Sequence, residues 1–354
     1  MTPAAAADWD ALVERFRARG LFAKATGRIL AELAVHVVLM LGGLAVFARA
    51  DGGALRAAGL LVSTYGGVGV LSSCHTSSHD GTSARPWVNR ALTRLGFTFV
   101  FQISTAYWRR SHLELHHPHP NVDGLDCDAD LAPWFVLNRR QLERSPRLAR
   151  WYYRLQWAFF PPALALNLPS AQMASWLHLL GRLRDGARRR VEDWIDLGVL
   201  ALHWAAWLLV PMAFFTPGDV VSTYLLRTAL MGYGMFLVAA PAHYPAEAVC
   251  LAAEGAGADV VLRQTAATLD FRTGPLGALL ASGADHQVEH HLFPEMSHVH
   301  YRAMRAEVET FCGAHGYPYR RLGWLEAVWK SYRTLVDPKP VATNVETLRA
   351  ASRA

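Results

Sequence analysis

The sequence predicts an all-α chain, a membrane-embedded bundle of about four transmembrane helices carrying a helical cap on its cytosolic face. Three observations predict it. The 354 residues are 52% hydrophobic and include 12 Trp, yet 18% are charged. That is too apolar for an ordinary soluble domain and too charged for a chain lying wholly in lipid. Four stretches come near the ~20 apolar residues that cross a hydrocarbon core. Thirteen arginines fall between Arg109 and Arg190, interleaved with aromatics, as in a segment held at the cytosolic surface of a bilayer.

Residues 1–28 are polar and basic and read as an amphipathic N-terminal segment lying on the membrane surface. Residues 29–320 read as one integrated membrane domain, and 321–354 as a polar, basic tail. The spans are expected at Ile29–Ala48, Ala57–Ser73, Asp196–Phe215 and Val220–Ala240. Ala91–Trp108 carries Arg94 and is short for a span, so it reads as one re-entrant or interfacial helix. The Thr216–Asp219 turn has no Lys or Arg, which by the positive-inside bias puts both termini and the arginine-rich middle in the cytoplasm. Ala- and Arg-heavy usage suggests a bacterial inner membrane. Cys74, Cys127, Cys250 and Cys312 show no CxxC pairing, which fits a reducing compartment rather than a disulfide framework or zinc ribbon. No removable signal peptide is read in the first 26 residues. The basic charge is assigned to a lipid surface and not to nucleic acid.

Eight of the 16 histidines fall in three clusters: His75 and His79; His112, His116 and His117; His286, His290 and His291. A lone histidine is usually a satisfied core or surface residue, and His203, placed mid-span, must find an internal partner. Three separate segments repeating imidazoles at helical spacing is a different matter, and points to metal. Imidazole suits Zn, Cu, Fe and Ni, but a structural zinc needs only four ligands. Eight or nine imidazoles fill two metals, and two redox-active irons use the count. Glu114, Glu289, Asp80, Asp128 and Asp130 lie close in sequence and are expected to accept the outer N–H of ligating rings, an outer-shell role. In the last cluster Gln287 lies ~60° from His290 and ~40° from His291 on a helical wheel, whereas His286 lies ~140° from His291. Gln287 is therefore expected to face the metals, with His286 in the outer shell; imidazole chemistry keeps His286 open as the alternative.

The clusters resemble the HxxxH, HxxxHH and (H/Q)xxHH boxes of the integral-membrane fatty acid desaturase superfamily. Gln287-Val-Glu-His-His-Leu-Phe-Pro294 is similar to the third box of front-end acyl-lipid desaturases, and the likeness covers about residues 57–313. It implies metal-ligand roles for His75, His79, His112, His116, His117, His290 and His291. It adds His243, in Ala-His-Tyr, at the place of a further ligand, although Ala242 stands where Asn often precedes it. It implies a non-haem di-iron centre using O₂ to desaturate an acyl chain carried on lipid, coenzyme A or carrier protein. No catalytic residue beyond the metal ligands is implied. No His-Pro-Gly-Gly haem signature occurs, so the expected electron donor is a separate protein such as ferredoxin with its reductase. Acyl-chain hydroxylation or ketolation on the same scaffold is the alternative; a histidine-rich metal transporter or sensor is disfavoured by spans without a ladder of ionisable residues.

Overall fold

The structure, a computed structural model, describes residues 1–255 and 259–351. It comprises two compact units, each assembled from separate stretches of chain. One contains Thr26–Arg110 and Pro162–Phe236; the other contains Met1–Ala25, Ser111–Pro161 and Leu237–Ala354.

The first unit carries the spans. Thr26–Arg49, Gly53–Ser78, Val191–Met212 and Pro217–His243 are long and apolar enough to cross a membrane, the last passing into the other unit at Leu237. The first two pack backbone to backbone. A methyl group on Gly59 would lie 2.7 Å from the Gly43 carbonyl oxygen and the Phe47 nitrogen, so only glycine permits this approach. Small residues at such contacts let apolar helices associate where lipid removes any hydrophobic drive. Outward residues such as Val38, Leu41, Leu61 and Leu209 are exposed and apolar. His203 finds its expected internal partners, with Nδ1 2.6 Å from the Phe99 carbonyl oxygen and Nε2 2.8 Å from the Tyr224 hydroxyl. The helix opens into a π turn immediately afterwards, at Ala205–Leu209.

The single helix expected over 91–108 is corrected. The chain forms an α-helix at Pro86–Thr93, a π-helix at Arg94–Val100 and a short helix at Thr105–Trp108. Gln102, in the left-handed region at φ 60°, breaks the run, because a non-glycine residue there cannot continue a right-handed helix. Asp196, fully buried, holds the restart. Its carboxylate accepts from the Thr105 hydroxyl, the Ala106 N–H and the Arg94 guanidinium at 2.8–3.1 Å. Ser104 then caps the short helix through the Tyr107 N–H at 3.2 Å.

In the second unit the N-terminal helix, Pro3–Ala18, starts on a Thr2 cap. Its apolar stripe does not face lipid, contrary to expectation. Ala5, Leu12 and Phe16 are buried in a core shared with Met304, Val308 and Phe311 of the Tyr301–His315 helix. Residues 321–351, polar by composition, are also folded in. Arg321–Gly323 pairs in parallel with Asp270–Arg272, and Val341–Ala342 with Cys250–Leu251. Leu335, Lys339, Ala342 and Leu348 are all buried.

Candidate metal centre

Three segments of the second unit bring imidazoles together. The first is the stretch Arg109–His116, a π-helix rather than the α-helix that the spacing suggested. Its wider turn closes a hydrogen bond from the His117 N–H to the His112 carbonyl at 2.9 Å, five residues apart, and sets the two rings on one side. Their Nε2 atoms stand 3.2 Å apart. Such π turns recur at functional sites. The second is His243, the last residue of the fourth span. The third is the short helix Gln287–Leu292, which presents Gln287, His290 and His291.

The rings converge through their Nε2 side. His290 Nε2 lies 3.1 Å from His117 Nε2, and His291 stacks on His117 with centroids 4.4 Å apart. The donor atoms of His116, His243 and His291 lie within 4.8 Å of one another, and all three residues are buried. Gln287 Nε2 stands 2.9 Å from His243 Nε2, which places the amide inside the cluster.

Most of these rings are held from behind through Nδ1. Asp128 Oδ2 is 2.6 Å from His112 Nδ1, and Asp126 Oδ1 is 2.9 Å from His116 Nδ1. Gln264 Oε1 lies 2.9 Å from His291 Nδ1, while its amide N–H donates to the His117 carbonyl at 2.7 Å. The Tyr301 hydroxyl is 3.2 Å from His290 Nδ1. A partner on Nδ1 selects the tautomer that leaves Nε2 as a lone-pair donor. Burial pulls the His116 pKa down, but the Asp126 charge and hydrogen bond, with Asp128 behind, carry it up to about 9. Asp126 itself is stabilised as the anion against its burial by His116 and by the Asn121 N–H. Burial and the neighbouring Asp126 charge raise Asp128 to about 6.

A second tier fixes His243. Its carbonyl, at the end of a helix where intrahelical partners run out, accepts from Lys339 Nζ at 2.7 Å and from Asn121 Nδ2 at 2.9 Å. Lys339 is buried, which lowers its pKa to about 8, and a cation there complements the helix dipole. Asp126, Gln264, Tyr301, Asn121 and Lys339 escaped the sequence reading. Asp126 had a signal in the Asp126-Cys-Asp128-Ala-Asp130 run; Lys339, over 90 residues from what it holds, had none.

Glu114 is exposed. Asp130 accepts from the Ala132 N–H and the Gln141 amide. His286 occupies the N-cap position with non-helical backbone, and its Nδ1 stands 3.8 Å from both Asp270 Oδ2 and Glu289 Oε2. Burial and the Asp270 charge push Glu289 well above the carboxylate range. His75 and His79 belong to the span unit, at the end of the second span, with rings 4.9 Å apart and His75 edge-on to Trp108 at 5.8 Å. Asp80, which follows, is exposed.

The sequence profile of the fatty acid desaturase family matches residues 52–323. The chain belongs to that family. It is 27% identical over 267 residues to the Delta(5) fatty acid desaturase fat-4 of Caenorhabditis elegans, covering 72% of this chain and 57% of that one. It is 28% identical to the Delta(8)-fatty-acid desaturase of Euglena gracilis, covering 74% and 62%. The acyl-lipid 8-desaturase of Rebecca salina is 26% identical, with 93% and 74% covered. The chain thus spans less than two thirds of the length of the first two relatives. The histidine-rich groups of this family member can hold metal, and its four apolar helices mark a membrane protein.

Proposed function

We propose that this protein is an O₂-dependent desaturase of acyl chains, and that its metals are two irons. The observation that carries the reading is the donor set of the second unit. Six imidazoles, from His112, His116, His117, His243, His290 and His291, gather with Gln287, and carboxylate, amide or phenol partners stand behind four of them. Nitrogen-to-nitrogen approaches of 3.1 and 3.2 Å between these rings aim lone pairs at shared points, as metals require. A buried group of that size exceeds the four ligands of a structural zinc. For His75 and His79 the ligand assignment follows the family motif.

When bound, the irons supply the O₂-dependent removal of two hydrogens from an unactivated chain. The protein's own residues do the rest. Asp126, Asp128, Gln264 and Tyr301 fix ring orientation and tautomer, so that the donor atoms need no rearrangement. Lys339 and Asn121 hold the His243 backbone. The substrate is an acyl lipid or an acyl thioester of coenzyme A or carrier protein, as the relatives' names suggest for acyl lipid, and the arginines of 139–154 suit its anionic head group. Electrons come from a separate donor such as ferredoxin with its reductase. The protein sits in a bacterial inner membrane, with the histidine clusters and both termini on the cytoplasmic side.

Iron content and product analysis test this together. Protein purified from iron-replete cells should carry about two irons, and supplied with reductant and O₂ should yield chains two hydrogens lighter. Zinc alone, or a hydroxylated product, overturns the reading.

A further inference from the structure

We propose that Asp270, His286 and Glu289 form a separate cation site that takes one divalent transition-metal ion of the zinc class. Asp270 comes from the strand Asp270–Arg272; His286 and Glu289 come from the entry and first turn of the Gln287–Leu292 helix. Asp270 and Glu289 are fully buried, and the His286 side chain is 12% exposed. One oxygen or nitrogen of each lies within 4.8 Å of the others. The 3.8 Å separations from His286 Nδ1 to Asp270 Oδ2 and Glu289 Oε2 are less than twice the ~2.0–2.2 Å of zinc–nitrogen and zinc–oxygen bonds. An ion therefore fits between the imidazole and both carboxylates.

The hydrogen-bond count points the same way. Asp270 Oδ1 accepts the Val288 N–H at 3.0 Å. The Tyr319 hydroxyl lies 2.8 Å from Asp270 Oδ2 and 2.8 Å from Glu289 Oε1, but has one proton and can donate to only one of them. Glu289 Oε2 and His286 Nδ1 have no hydrogen-bond partner although both are buried. Buried polar atoms are ordinarily satisfied, and two of them face each other here. No lysine or arginine among the described residues pairs with either carboxylate. A divalent ion bound by two carboxylates and a neutral imidazole balances the charge and uses both orphaned atoms, with a fourth position left for water. Tyr319 then orients the carboxylates from outside.

The site is distinct from the histidine centre, since neither carboxylate bonds to a ring of that group. Its occupant would tie the Asp270 strand to the helix bearing His290 and His291.

The test counts metals per chain in the purified, iron-loaded protein during titration with Zn²⁺. Wild type should bind one zinc beyond its irons, and zinc-edge absorption should show an oxygen-rich shell with a single imidazole. His286→Gln and Glu289→Gln should each lose that zinc and keep the irons. Wild type that takes no extra zinc overturns the proposal in favour of a carboxyl pair sharing a proton. So does an extra zinc retained in both variants, or a shell of several imidazoles. Should the variants not fold, the wild-type count and shell decide alone. Failure of the desaturase reading is seen separately, as loss of no iron in His290→Ala.

Discussion

Gln264 illustrates how much of this centre depends on residues that touch no metal. Its amide donates to the His117 carbonyl and its oxygen meets His291 Nδ1, so one side chain aligns two rings from different segments. Gln264→Leu keeps the volume and removes both bonds. Loss of an outer-shell partner typically costs ~10–100-fold in metal affinity or activity, and that is the expected drop in iron retention and turnover. Retention equal to wild type would show that the rings are set without it. Gln287 and His286 invite a sharper comparison. Gln287 lies 2.9 Å from His243 Nε2, whereas His286 is turned to Asp270 and Glu289. Gln287→Ala should therefore lose iron, and His286→Ala should keep both irons. The reverse result, read by metal analysis, would make His286 the ligand.

At the scale of elements, the sequence disclosed periodicity and concealed interruptions. The four spans were legible because ~20-residue apolar runs have few alternatives. The π-helix at Arg109–His116 was not, because a one-residue widening leaves composition unchanged, yet it decides that His112 pairs with His117 across five residues. The N-terminal helix showed an amphipathic pattern whose partner the pattern could not name. That partner is the core beside the third histidine segment, where Trp9 stacks on Phe293 at 5.2 Å and Arg15 and Arg19 pair with Glu307. Lys339 was hidden for a related reason, since a lysine in a polar tail carries no mark of burial. Lys339→Met removes the donor from the His243 and Ala248 carbonyls. Leaving buried acceptors short costs ~1–3 kcal/mol each, softened here because Asn121 Nδ2 also reaches both. A lowered thermal midpoint together with reduced iron per chain is expected. A lowered midpoint with unchanged iron would make Lys339 a purely structural residue.

Over the whole chain, neither unit is a continuous segment, so no boundary could be read from composition. The histidine-bearing unit is built from residues 1–25, 111–161 and 237–354, stretches that read separately as a surface segment, part of an arginine-rich cytosolic segment, and the third histidine cluster with a basic tail. The proposed orientation rests on charge. Thirteen arginines lie between residues 109 and 190 against none in the 216–219 turn, and such a bias in loops near span ends sets topology. A native reporter makes this testable without engineering. Cys74, Cys250 and Cys312 are buried, whereas Cys127 is exposed and lies between Asp126 and Asp128. A membrane-impermeant maleimide should therefore label one thiol, and only where the cytoplasmic face is open to it. Intact cells are expected to give no label and inverted vesicles about one label per chain, lost in Cys127→Ser. Labelling of Cys127 in intact cells would reverse the assigned orientation, and would put His112, His116 and His117, only 10 to 15 residues earlier in the chain, on the side away from cytoplasmic reductants.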